Sequence, residues 1–107
     1  MSLDVYLMEQ QEVSIFEANI THNLNKVALH AGLYYPLWRP DEIGISVAKE
    51  LIPFLKAGLI LLTKYPEKFT EYLPQNGWGT LGNLIEVTNK YLDACMDHPN
   101  AKIRISR

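Results

Sequence analysis

The stretch AKIRISR, residues 101–107, alternates more cleanly than any other part of the chain. Ile103 and Ile105 fall on one face, Lys102, Arg104 and Ser106 on the other. A period of two is that of a half-buried strand. LDVYL, residues 3–7, repeats the pattern, with Leu3, Val5 and Leu7 against Asp4, Tyr6 and Met8. VSIF, residues 13–16, alternates again after the polar break EQQE. The break lacks a tight-turn dipeptide, so the first two strands read as a hairpin or near-hairpin. An isolated hairpin is marginal in water, so a third strand and a helical cover are needed. The strand at 101–107 supplies the third member and ties the two chain ends together.

Between the strands the period changes to that of helices. Ile20, Leu24, Val27, Ala28 and Ala31 share one stripe, with Asn19 or Thr21 as cap and Gly32 as left-handed stop. A second helix opens near Ser46, with Ala48, Leu51, Ile52, Leu55, Leu59 and Leu62 on its face. Phe54, Ile60 and Leu61 lie off that stripe, so this helix is apolar over most of its girth. Such a helix is central or covered by a partner subunit. Pro53 predicts a bend or a later start. Pro66 begins a short helix, PEKFTEYL. A last helix runs from about Thr80 to Met96, with Leu81, Leu84, Ile85, Thr88, Tyr91, Leu92 and Cys95 inward, and Pro99 ends it. The expected fold is α+β: one domain, residues 1–107, with helices packed on one face of a small, mostly antiparallel sheet formed by N-terminal and C-terminal strands.

Composition narrows the function classes. Net charge is −2, from 12 acidic and 10 basic residues. There is no basic field for nucleic acid. The longest apolar run, AGLILL, is too short to span a bilayer, so no membrane role is expected. Asp4 and Glu9 interrupt any secretory h-region. A single cysteine, Cys95, makes no internal disulfide and fits a reducing, cytoplasmic compartment.

Candidate sites lie in three segments. The first, Asn19 to Asn23, holds Asn19, Thr21, His22 and Asn23. A helix N-terminus there offers free amides to a small polar or anionic ligand. On a helical wheel His22 points nearly opposite the apolar stripe, which leaves capping by Asn19 and Thr21 and a solvated His22 as the plain alternative. The second, LYYPLWRPDEIG at 33–44, holds Trp38 and Arg39, a stacking surface and a bidentate cation. Its plain alternative packs the rings on the core and pairs Arg39 with Asp41, Glu42 or a helix end. An irregular segment of a dozen residues is uncommon unless it has a task. The third, PQNGWGT at 74–80, holds Asn76 and Trp78 in a turn, where Trp78 covers a ligand or plugs the bundle.

Catalytic templates are thin. Ser46-Val47-Ala48-Lys49 matches S-x-x-K without its companion boxes, so Ser46 reads as a helix cap. Cys95 lies mid-stripe and is expected to be buried and inert. His22 and His30 are too far apart in sequence to chelate one ion. No metal, cofactor or catalytic residue is expected.

ANITHNL, GLYYPLWRPDEIG, QNGWG, YLDAC and the final ISR together resemble a family of small uncharacterised proteins of bacteria and their phages. The likeness spans nearly the whole chain. It implies roles for Asn19, Thr21, His22, Asn23, Trp38, Arg39, Pro40, Asn76, Gly77 and Trp78, and no particular chemistry. Asp41 replaces the family's usual Glu, and Thr80-Leu81 replaces a familiar acidic-aromatic pair. The expected function is a small intracellular binding or accessory module for a protein or small polar ligand, with a homo-oligomer as another partner. The alternative is a small enzyme with His22 as acid or base and Arg39 as anion clamp.

Overall fold

Leu3, Val5 and Leu7 are fully buried, while Asp4, Tyr6 and Met8, which alternate with them, stay half-exposed. This strand, β1 (Ser2–Glu9), is therefore the centre of the sheet, with one face on the core and the other toward solvent. The computed structural model describes residues 1–10, 13–75, 77 and 79–107. β1 pairs antiparallel with β2 (Val13–Thr21) on one side and β3 (Lys102–Ser106) on the other, in the order β2-β1-β3. Val5 sits opposite both Ala18 and Ile105, and Leu7 opposite both Phe16 and Ile103. These opposed residues share the core face. A bulge between Leu7 and Met8 shifts the register near the hairpin end. The outer edge of β3 is partly covered, because Ile103 donates its amide to the Ser46 carbonyl at 3.0 Å.

Among the described residues, four α-helices cover the core face: α1 (Asn25–His30), α2 (Tyr34–Trp38), α3 (Ala48–Lys64) and α4 (Leu81–Asp97). Short 3-10 turns at His22–Leu24, Pro40–Ile43 and Pro66–Tyr72 join them. The α+β fold expected from the periodicity is thus the fold observed. α4 turns Leu84, Thr88, Tyr91, Leu92 and Cys95 inward, and Tyr91 stacks on Phe16 of β2 with ring centroids 5.6 Å apart. The Thr80 hydroxyl and the Asn83 side chain cap its start reciprocally, each at 3.1 Å.

Local structure departs from expectation at four places. Ile20 belongs to β2, opposite Leu3, and not to a helix. The strand continues to Thr21 because Ile20 is needed on the core face, so α1 begins only at Asn25. Residues 33–44 are not irregular: α2 and the Pro40–Ile43 turn occupy most of them. Ser46 does not cap α3. Glu50 does, its Oε1 accepting from the amides of Ser46 and Val47 at 3.0 and 3.1 Å. α3 also begins before Pro53 and not after it, and Pro53 sits on the exposed side early in the helix. Only the hydrogen bond to the Lys49 carbonyl is forgone there.

α3 reaches the core at Gly58, where a β-carbon would overlap the Leu33 side chain, itself fully buried. Gly58→Ala should lower stability by about 1–3 kcal/mol in urea denaturation, although alanine is the better helix former. A neutral substitution would contradict this close approach. The two amides hold the Glu50 carboxyl below its ordinary value of 4.5. A depressed folded-state value means stability present above the unfolded pKa and lost as pH falls through the folded one. Glu50→Ala should therefore lower Tm near neutrality, and the gap to wild type should narrow as pH falls below the ordinary value of 4.5.

Candidate functional site

The turn at His22–Leu24 follows directly from the end of β2, and its backbone is tied to the start of β1 by the His22 amide on the Met1 carbonyl, 3.3 Å. Thr21 opens the turn, its hydroxyl accepting weakly from the Asn23 amide at 3.4 Å. Because the chain leaves a strand rather than starting a helix, His22 does not project into solvent. It is half-buried, and its Nδ1 accepts a 2.8 Å hydrogen bond from the indole Nε1 of Trp38. That bond puts the neutral ring's proton on Nε2.

Trp38 is 2% exposed and ends α2. Burying its rings is worth about 2–3 kcal/mol. Tyr34, one turn earlier, stacks on it at 5.7 Å, and Tyr35 meets Tyr34 edge-on at 5.2 Å. Arg39 donates through Nε to the Tyr34 hydroxyl at 2.9 Å and through Nη1 to Glu42 Oε2 at 2.7 Å. The hydroxyl first, and the Glu42 carboxylate second, hold the guanidinium firmly in its charged form. Arg107, beyond the end of β3, donates to the Trp38 carbonyl at 3.0 Å and lies 3.6 Å from Asp41 Oδ1. Periodicity along β3 says nothing of the residue after it. The one signal for Arg107 was the ISR ending of the resemblance.

The other expected residues lie elsewhere. Asn19 is neither cap nor neighbour of Trp38: it stands on β2 opposite Asp4, its side-chain amide donating to Ser2 Oγ and Asp4 Oδ1, each at 2.7 Å. Asn23 is exposed. Thr21 lies with its methyl group against Gly79. Gly79 has φ +112°, and a β-carbon there would crowd the side chains of Thr21 and Leu24, so both backbone and space demand glycine. Asn19, Thr21, Leu24, Gly79, Asn83 and Glu86 border a cleft of about 310 Å³. Asn76 and Trp78 lie outside the described residues. Residues 21–24 therefore touch Trp38 through His22 and Gly79 through Thr21.

Among the described residues, no group of three or more His, Cys, Asp or Glu side chains is placed to hold a metal ion. No helix among them is long and apolar enough to cross a membrane. Cys95 is fully buried, and burial pushes its thiol up to about 12, so it is chemically quiet near neutrality. Comparison with family models, with curated proteins and with solved structures found no match to this chain.

His22→Ala would strand a buried indole N–H. It should cost about 1–3 kcal/mol in chemical denaturation, and His22→Gln, which keeps an acceptor, should recover part of the loss. Equal losses for Ala and Gln would deny the hydrogen bond its weight.

Proposed function

We propose that this chain is a small binding or accessory module that works by surface contact with a protein, and is not an enzyme. The observation that carries the reading is the commitment of the reactive side chains to one another. A general base needs a free lone pair. His22 has one acceptor nitrogen when neutral, and the Trp38 indole occupies it. An anion clamp needs an uncompensated cation, and Glu42 already faces Arg39 at 2.7 Å. What these contacts build is a rigid shelf. Tyr35 and Ile43 project from it with 44% and 41% of their surface exposed, beside Arg39 and Glu42. Tyrosine and arginine on a preorganised frame are the residues from which protein interfaces draw most of their energy. A bacterial or phage setting, in the cytoplasm, is proposed on the resemblance and the lone cysteine.

A second reading has its own observation. The cleft between Asn19, Thr21 and Asn83 combines polar groups with Leu24 and Val87, a mixture suited to a small polar ligand. The two readings separate by experiment. A protein captured from a host extract by the wild-type chain should be lost with the Tyr35→Ala/Ile43→Ser variant, which keeps its fold by circular dichroism. A metabolite that raises Tm by mass action, with the rise abolished by Asn83→Ala, would move the site to the cleft. Any turnover abolished by His22→Gln would restore the enzyme reading.

A further inference from the structure

α3 leaves one side open. Taking Ala57 as the centre of that side, the residues within about 60° of it at 100° per residue are Glu50, Pro53, Phe54, Ile60, Leu61 and Lys64. All are exposed, and Phe54, Ile60 and Leu61 show 43%, 55% and 39% of their surface. Three large apolar side chains on one exposed helix face are not explained by the chain's own core. Their order has a symmetry. Reversing the helix about Ala57 exchanges Glu50 with Lys64, Pro53 with Leu61, and Phe54 with Ile60. Apolar residues map onto apolar ones, and the one acid maps onto the one base.

From this we propose that the open face of α3 pairs with the same face of a second copy of this chain, antiparallel, about a two-fold axis passing at Ala57. The inference is independent of the Tyr35–Ile43 shelf. A two-fold interface must be self-complementary. In the antiparallel arrangement, Glu50 of each copy lies at the height of the other's Lys64, about 10 Å from the axis along the helix. In a parallel arrangement Glu50 would meet Glu50 and Lys64 would meet Lys64. Charge therefore selects the orientation, even though exposed ion pairs add little affinity. Glu50 is already held in place. Its Oε1 caps the helix by accepting from the amides of Ser46 and Val47. Ala57 at the centre lets the two backbones approach. Phe54 and Leu61 then flank the axis, each beside the other copy's apolar residues, as seam positions do in an antiparallel coiled coil.

Sedimentation of the full chain across a concentration series tests the pairing. The expected result is reversible growth from 12.2 kDa to twice that mass. Lys64→Glu should weaken the dimer about tenfold or more by setting acid against acid. Ala57→Arg should leave a folded monomer. Orientation is read by cross-linking under a mild copper oxidant, with buried Cys95 silent. Ala57→Cys should link to itself. Lys64→Cys should not, since the two sites would stand about 20 Å apart. A wild-type chain that stays monomeric at every concentration overturns the proposal, as does a dimer that survives Ala57→Arg or one in which Lys64→Cys links to itself.

Discussion

A buried indole must find an acceptor for its N–H, and in this chain the acceptor comes from another element. Trp38 is the last residue of α2, and the acceptor is His22, at the exit of β2. An indole N–H left alone in an apolar setting costs about 1–3 kcal/mol, so the pair ties the end of α2 to the exit of β2. Most of the candidate site follows from that joint. Tyr34 stacks on the indole, Arg39 reaches back to the Tyr34 hydroxyl, Glu42 balances Arg39, and Arg107 closes the far side on the Trp38 carbonyl.

The sheet supplies the frame on which this joint can form. β1 at the centre holds both β2 and β3, so the exit of β2 and the residue after β3 are brought to the same neighbourhood as α2. The 21–24 turn is the hub. One of its residues meets Trp38, and its predecessor, Thr21, lies against Gly79. Two adjacent side chains thus serve two separate contacts, His22 with Trp38 and Thr21 with Gly79.

Regular elements with a clean period were legible in the sequence. β1, β3 and α4 each turn one face inward, half-buried in β3, and that face is written in their alternation or their stripe. Ile20 was misleading because it satisfies two periods at once, pairing with Leu3 in the strand while standing four residues from Leu24. Strand pairing decided between them, and that is a long-range fact. The Glu50 cap was hidden for a different reason. The capping group sits inside the helix and reaches back to two amides, so the residue at the boundary carries no sign of it. Residue types at the site were legible as well. The Arg39–Glu42 pair, three positions apart, was among the pairings the sequence offered. The His22–Trp38 pair was not, because the two are 16 positions apart and no local pattern couples them.

The central claim is that His22 accepts from Trp38 and is thereby held as the Nε2–H tautomer. Nitrogen-15 NMR of the imidazole and the indole at neutral pH tests it directly. The account predicts a protonated Nε2, an unprotonated Nδ1, and a Trp38 indole proton protected from exchange. A proton on Nδ1, or an indole proton that exchanges as fast as one in open solvent, would contradict it.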